Sequence, residues 1–268
     1  MSKNRIPENL ISLHAGEEAV SRSSLELISG DEDLLLHVLM IERVMDTLQF
    51  YRVSYDEETE EQLIVKLLGA RLFNALGSAM KLLLSGYYQA AAMHIRDILE
   101  TSFLLDYFST DRQLIERWKA VPEDQRNKEF GPVVVRKALD QRDGFKEMKR
   151  AEHYKLLCKL AGHPTFEGLG MLRPAPGEDA HMGPFFVPAL LVATIQELVK
   201  VGVLASGTFT HFFRPTTGEQ FRASIHRLEF TSVWFKKVFG REHDAAGYES
   251  LKEMLREMEA EEQGGPGI

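Results

Sequence analysis

Two consecutive apolar stretches decide the fold: Ala70–Leu84 (ARLFNALGSAMKLLL) and Tyr87–Phe108 (YYQAAAMHIRDILETSFLLDYF), separated by Ser85 and Gly86. In both, apolar residues recur at the spacing of an α-helix, and Gly86 stands where a helix commonly ends. Small residues are concentrated in both stretches, and they favour close approach of two helices. These residues are Gly69, Ala70, Ala75, Gly77, Ser78, Ala79, Ala90, Ala91 and Ala92. The sequence therefore predicts a tightly packed antiparallel pair of helices.

The rest of the chain continues this helical pattern. Neither sustained alternation nor an Asn-Gly hairpin indicates strands. Four prolines and four glycines fall within residues 163–184, which predicts a long irregular loop. The fold class is all-α, an antiparallel multi-helix bundle with a long Pro/Gly-rich loop. With the two helices already described, at about 58–84 and 88–108, the sequence predicts helices at about 31–48, near Ile115 and Trp118, and at 133–139, 145–160, 185–213, 217–238 and 245–261.

Composition changes along the chain suggest three parts. Residues 1–30 are polar and weakly patterned, which predicts an arm or a short helix. Residues 31–240 form the helical bundle domain. Residues 241–268 form a charged C-terminal helix and a flexible tail that contains Gly264, Gly265 and Gly267.

Several features favour a cytoplasmic protein outside the membrane. The only cysteine, Cys158, is typical of a reducing compartment; it is expected to be a buried structural thiol, although its lysine neighbours would activate it if it were exposed. The N-terminal residues lack the apolar core of a signal peptide. The apolar stretch 187–205 contains Gln196 and Glu197, which favours a core helix over a membrane span.

The net charge of −8 is unevenly distributed. Residues 111–160 hold 13 Lys and Arg against 9 Asp and Glu, whereas the remainder is strongly acidic. A positive middle segment could face an anionic ligand. The interleaved signs equally fit a solvated helical face, and nucleic-acid binding proteins normally show a larger basic excess.

Charged residues interrupt the second apolar stretch and mark the candidate site. Arg96 and Glu100 are four residues apart, and His94 and Asp97 are three apart, so each pair can meet on a helix. One interpretation is that these charges are satisfied within the pairs or by a neighbouring helix. The alternative is a polar pocket inside the bundle, joined by Tyr154 and His163, with Arg71 as a further cation. The predicted ligand-binding residues are Arg71, His94, Arg96, Glu100, Tyr154 and His163; Arg96, Glu100, Tyr154 and His163 are also the catalytic candidates.

Other site chemistries find little support. The one Glu-x-x-His spacing, Glu178 to His181, lies in the loop rather than on a helix, so no metal site is predicted. Neither a glycine-rich phosphate loop nor a nucleophile elbow occurs. No cofactor is predicted.

Three runs resemble an uncharacterised family of bacterial all-helical proteins: LLSGY…RDILE around residues 83–100, VRKALD at 135–140, and YKLLC…GHP around 154–164. The resemblance covers roughly residues 65–210. It implies a helical fold and marks Arg96, Glu100, Tyr154 and His163, but it implies no reaction.

A looser similarity of architecture links the chain to the nucleotide-binding bundles of the HEPN superfamily, many of which are ribonucleases in toxin–antitoxin and phage-defence systems. Their marker is an arginine and a histidine on one helix with four to six residues between them. Here the pairs Arg150 to His153 and Arg222 to His226 are too short, and Arg173 to His181 is too long.

Two hypotheses follow. The first is a helical binding or regulatory module whose polar pocket recognises a small anionic ligand or a partner. This module is expected to be a homo-oligomer, specifically a homodimer. The second is a HEPN-like ribonuclease that acts on RNA in defence or stress. Because the ribonuclease motif is missing and the protein is acidic, the first is preferred.

Overall fold

The all-α prediction is confirmed by the computed structural model, which describes residues 6–56, 59–146, 149–241, 243 and 245–264. The chain is 81% helical, and its described residues form no strand. The long helices are α1 (Glu8–Ser29), α2 (Glu32–Ser54), α3 (Glu60–Leu84), α4 (Tyr88–Thr110), α10 (Pro188–Thr210), α11 (Gly218–Phe239) and α12 (Ala245–Gly264).

Shorter elements lie between α4 and α10. They are α5 (Gln113–Ala120), α6 (Glu123–Phe130), α7 (Pro132–Arg142), α8 (Lys149–Leu157), a π-helical turn (Cys158–Gly162), α9 (Phe166–Leu169) and a 3₁₀ turn (Gly170–Leu172). Helix α6 forms where the sequence pattern showed only a polar stretch. Its two acidic residues in the first turn suit a helix N-terminus, and Arg126 holds it against α5 through the carbonyl oxygen of Trp118.

Side-chain caps fix the starts of three long helices. Asp31 accepts hydrogen bonds from the amides of Asp33 and Leu34 at the start of α2. Thr59 with Gln62, and Thr217 with Gln220, form capping boxes at the starts of α3 and α11. These residues satisfy amides that otherwise have no partner in the first turn.

Helices α4 and α10 form the centre of the bundle, and α2 and α3 pack beside them. Contacts show the directions of the chains: Gly77 of α3 approaches Met45 of α2, and Lys66 of α3 bonds to the carbonyl oxygen of Tyr55, so α2 and α3 are antiparallel. A three-residue link joins α3 to α4, which makes this pair a hairpin as well.

The small residues of α3 do not all face α4, contrary to the prediction. A Cβ at Gly69 would lie 2.4 Å from the Phe209 ring of α10, so this glycine permits the α3–α10 contact. A Cβ at Gly77 would meet only Met45 of α2, at 3.6 Å. The turn after α3 depends on Gly86, whose φ is 81°. A Cβ added there would lie 2.3 Å from the carbonyl oxygen of Phe185, so there is no room for a side chain.

The two ends of the chain pack against the bundle as helices. In the segment predicted as a polar arm, α1 forms six turns and contacts α2 and α3, and Ser24 donates to the carbonyl oxygen of Leu84. Helix α12 packs on α11. Gly265 and Gly267 of the predicted tail lie outside the described residues.

The Pro/Gly-rich segment 163–184 contains two short helical pieces, α9 and the 3₁₀ turn. Gln89 of α4 anchors it by donating to the carbonyl oxygens of Leu160 and Gly168 at 3.2 and 2.9 Å. The loop is therefore tied to the helix that carries the candidate site.

By length and composition alone, α3 and α10 are each apolar enough to cross a membrane. Core helices pass the same test, so this is weak evidence. Both helices contact several neighbours in the bundle, and Leu191, Ile195 and Leu198 of α10 are fully buried.

Candidate functional site

Arg96 and Glu100 form the ion pair that their spacing on α4 predicted. The Nε and Nη2 atoms of Arg96 donate to Oε1 of Glu100 at 3.1 and 2.8 Å. The side chains are 26% and 27% exposed, so the pair is partly shielded from solvent rather than sealed inside the bundle.

Tyr154 of α8 joins this pair, also as predicted. Its hydroxyl donates to Oε1 of Glu100 at 2.6 Å and accepts from Nη2 of Arg96 at 3.3 Å. One carboxylate oxygen therefore receives three donors from two helices.

Arg136 of α7 completes the group, although the sequence analysis did not select it. Its Cζ lies 3.8 Å from the centroid of the Tyr154 ring, and that of Arg96 lies 5.5 Å from it. Arg136 is only 6% exposed, and its Nε and Nη1 atoms are buried with no hydrogen-bond partner among the described residues. Arg96, Glu100, Arg136 and Tyr154 are called the Arg–Tyr cluster below.

A signal for Arg136 was present in the sequence. Val135, Arg136, Leu139 and Asp140 are the buried residues of α7, and their spacing is that of one helix face. An arginine on a core-facing stripe is unusual unless it is paired. The signal was missed because Arg136 was counted with the mixed charges of residues 111–160.

Most other arginines in that basic segment are paired, which favours the solvated-face interpretation for them. Arg117 binds Glu129, Arg142 binds Asp106, and Arg150 binds Asp140. Asp140 is one turn from Arg136 and would be its natural partner, but it bonds to Arg150 at 2.8 Å. Arg136 has no ion pair in the part of the chain that the structure describes.

The π-helical turn that follows α8 lies against the cluster. A Cβ at Gly162 would be 2.9 Å from Nη1 of Arg96, so the glycine allows the backbone to approach the guanidinium. Cys158 begins this turn as a half-buried free thiol. Single π-helical turns are frequent at functional sites.

His163 follows this turn, but its side chain is exposed, and no hydrogen bond joins it to Arg96, Glu100 or Tyr154. Three of the four residues predicted to converge therefore do so through hydrogen bonds. The histidine at the end of the turn contributes no bond to them.

The remaining predicted site residues lie beside the cluster. Arg71 of α3 forms an ion pair with Asp97 across the α3–α4 hairpin. Asp97 is therefore satisfied by a neighbouring helix, one of the two possibilities that the sequence left open, rather than by His94. His94 is half-buried and forms no hydrogen bond with a described residue.

Two titratable groups of the cluster are shifted. Burial, together with the hydrogen bond to Glu100, raises the pKa of Tyr154 to about 12, so its hydroxyl stays protonated at neutral pH. Burial lowers the pKa of Arg96, but the Glu100 carboxylate more than offsets this effect, and the pKa is raised overall.

A cavity of about 290 Å³ adjoins the cluster at Glu100. Arg71 and Asp97 also reach it, while aromatic side chains form part of its wall. These are Phe103, Trp118 and Phe130. The cavity therefore combines a charged edge with an apolar body.

No metal-binding group of three His, Cys, Asp or Glu side chains occurs within the described residues. In the loop, the His181 ring contacts Phe185 at a centroid distance of 5.3 Å.

No family model, curated protein or solved structure matches this chain significantly. Both resemblances stated above therefore stay predictions, and the function must be argued from the residues.

Proposed function

We propose that this chain is a helical binding or regulatory module that takes up a small anion at the Arg–Tyr cluster. The observation that carries the proposal is Arg136, a guanidinium that is 6% exposed and has two buried nitrogens without partners. Buried arginines are almost always paired.

The charge balance of the neighbourhood supports an anion. Glu100 neutralises Arg96, Asp97 neutralises Arg71, and Asp140 neutralises Arg150. The positive charge of Arg136 has no counterpart. A carboxylate would supply one, because a guanidinium donates to it through two parallel hydrogen bonds.

The Tyr154 ring gives Arg136 a fixed orientation. A cation stacked on an aromatic face is attracted to it, but this interaction does not replace hydrogen bonds to the N–H groups. The cluster thus holds a preorganised cation whose donors are unused.

The cavity beside the cluster is lined by Glu100 and by Val135, the residue before Arg136, but not by Arg136 itself. A ligand held by Arg136 would extend towards this cavity, which therefore indicates the ligand's size and character. Its volume of about 290 Å³ is at the lower end for ligand pockets. Because Phe103, Trp118 and Phe130 line it, the best candidate is a small carboxylate with an apolar body. Benzoate is the simplest probe of this class.

The test is thermal unfolding of the wild type with benzoate, acetate or inorganic phosphate. At a concentration about 100 times Kd, a ligand specific for the folded state stabilises it by ~2.7 kcal/mol. We expect benzoate to raise the melting temperature most, and Arg136→Met to abolish this rise. Without ligand, Arg136→Met is expected to be at least as stable as the wild type, because the substitution removes an unpaired buried charge.

Arg117→Met is the matched control. It changes the net charge equally, but Arg117 is exposed and pairs with Glu129 away from the cluster. It should keep the benzoate response. A wild type that no probe stabilises, or an Arg136→Met variant that responds fully, would contradict the proposal.

A separate experiment tests the alternative function, RNA cleavage. Purified protein is incubated with total RNA beside an Arg96→Ala variant. Cleavage by the wild type that disappears in the variant would replace the binding module with the HEPN-like ribonuclease; intact RNA is expected.

The module is further proposed to be a cytoplasmic homodimer. Its support is at the level of the sequence: a single cysteine, and a helical bundle of a kind that often assembles. Light scattering after size exclusion should give twice the mass of the 30.4 kDa chain, and a monomer mass would refute the dimer.

A further inference from the structure

A second cavity lies away from the Arg–Tyr cluster, between the C-terminal ends of α4 and α7 and the facing sides of α10 and α11. Its volume is about 720 Å³, which is within the range of pockets for small metabolites. Its lining is rich in cationic and hydroxyl side chains, and no residue of the Arg–Tyr cluster contributes to it.

Arg227 of α11 is the unpaired cation of this cavity. Its Nε is buried without a hydrogen-bond partner, and it forms no ion pair with any residue that the structure describes. Arg142, the other arginine in the lining, is already bound by Asp106 through two contacts of 2.7 and 3.1 Å. The cavity therefore carries a net positive charge from Arg227.

Two histidines line the same cavity as Arg227. His211 follows the end of α10 and is exposed. The ring of His243 is stacked on Phe235, with centroids 4.5 Å apart. A phosphate monoester has three terminal oxygens that accept hydrogen bonds, which suits the guanidinium of Arg227 and the imidazole of His211.

Unlike the arginine and histidine side chains, the hydroxyl groups of the lining are placed to accept hydrogen bonds from a ligand rather than to donate them. Ser109 donates to the carbonyl oxygen of Asp106 at 2.7 Å, Thr208 to that of Ala205 at 3.1 Å, and Thr231 to that of Arg227 at 2.8 Å. Because each hydroxyl has one proton, these oxygens can only accept from a ligand. They suit a molecule with several hydroxyl donors.

We propose that this cavity binds a small phosphorylated polyol. Its phosphate interacts with Arg227 and His211, and its hydroxyl groups donate to Ser109, Thr208 and Thr231. The proposal does not depend on the function of the Arg–Tyr cluster.

Calorimetric titration with three probes separates the two parts of the proposal. Ribose 5-phosphate carries both chemistries, inorganic phosphate only the anion, and ribose only the hydroxyls. We expect ribose 5-phosphate to bind at least about tenfold more tightly than either of the others, the effect of one good charge-assisted hydrogen bond.

Variants then assign the contacts. Arg227→Met should weaken the binding of ribose 5-phosphate by about tenfold or more. His211→Gln should have the same effect, and because His211 is exposed, this substitution poses little risk to folding. Thr208→Val should weaken the binding of ribose 5-phosphate and leave the binding of inorganic phosphate unchanged. Arg222→Met, an exposed arginine outside this cavity, and Arg136→Met should leave the binding unchanged.

Three results would overturn the proposal: no binding of ribose 5-phosphate, phosphate binding as tightly as ribose 5-phosphate, or a folded Arg227→Met variant with unchanged affinity. Because Arg136→Met serves as a control here, failure at this cavity is distinguishable from failure at the Arg–Tyr cluster.

Discussion

His37 of α2 shows how one buried residue makes stability depend on pH. Its Nδ1 accepts a hydrogen bond from Nε1 of Trp234 at 3.0 Å, and both side chains are buried. Burial lowers the pKa of His37 below 6.5 in the folded protein. The neutral ring therefore stabilises the fold fully above about pH 6.5, the value in an unfolded chain, and this contribution is lost as the pH falls from there to the lower folded pKa.

His37→Asn is expected to remove this pH dependence, because an amide oxygen can accept from Trp234 without titrating. Urea unfolding between pH 5 and 8 measures the effect. The wild type should lose stability towards pH 5 more steeply than His37→Asn. His14→Asn, which changes an exposed histidine, should follow the wild type; equal slopes in all three proteins would contradict the prediction.

Glu100→Ala tests the cohesion of the Arg–Tyr cluster. The substitution leaves three donors on Arg96 and Tyr154 without their acceptor. Since Glu100 is about a quarter exposed, the expected loss of unfolding free energy is about 1.5–3 kcal/mol, below the cost of breaking a fully buried pair. Glu100→Gln keeps one acceptor oxygen and should cost less. Denaturation showing a loss under about 0.5 kcal/mol would mean that the pair behaves as a solvated surface contact.

Part of the site was predictable from residue spacing, and part was not. Arg96 and Glu100 are one helical turn apart, so their pairing is a local property of α4. Tyr154 joins them because α8 packs on α4, and its selection rested on a polar residue near a helix end. Arg136 reaches the same ring from α7, a long-range relation that local periodicity does not encode.

At the scale of elements, Gly69 is expected to determine how closely α3 and α10 pack. A Cβ there would overlap the fully buried Phe209 ring, with a distance of 2.4 Å to Cε2. Gly69→Ala should therefore cost about 1–3 kcal/mol through overpacking. Gly77→Ala is the control on the same helix: its Cβ has room beside Met45, and the gain in helix propensity should leave stability equal or up to about 1 kcal/mol higher. Equal denaturation midpoints for the two variants would refute this difference.

The long helices were predictable because their signals are local and redundant. Helix α3 has a capping box at its start and a glycine after its end, and α10 has a long apolar pattern that begins at Pro188. Helix α6 lacks an apolar pattern, so only its contacts with α5 and α7 reveal it. The π-helical turn at Cys158–Gly162 lies against Arg96, a contact between distant segments that local periodicity does not encode.

At the scale of the whole molecule, the two proposed sites both draw residues from helices α4 and α7. Helix α4 supplies Arg96 and Glu100 to the Arg–Tyr cluster, and its last turns supply Ser109 to the second cavity. Arg142, at the end of α7, binds Asp106 of α4, and both residues line the second cavity. The pKa of Asp143 is lowered to about 2 by Arg142 and then by Arg150, so the Asp143 carboxylate stays charged far below neutral pH.

The packing of the molecule predicts an order of local stability. Helices α4 and α10 are surrounded by neighbours, and their core residues Ile98, Leu99 and Leu198 are fully buried. Helix α12 packs mainly on α11, and its polar contacts, such as Glu259 with Arg222, are exposed. Hydrogen exchange followed by mass spectrometry should therefore find the slowest amides in α4 and α10, exchanging only through global unfolding, and much faster exchange in α12 through local opening.

Removal of residues 245–268 tests directly whether α12 opens independently of the bundle. If α12 opens locally, its loss should leave the protection of α4 and α10 nearly unchanged, although it exposes part of α11 near Ile225. The same truncation should leave benzoate binding intact, because no residue of the Arg–Tyr cluster lies on α11 or α12. Amides of α12 that exchange as slowly as those of α10 in the full chain would show that the C-terminal helix unfolds only together with the bundle.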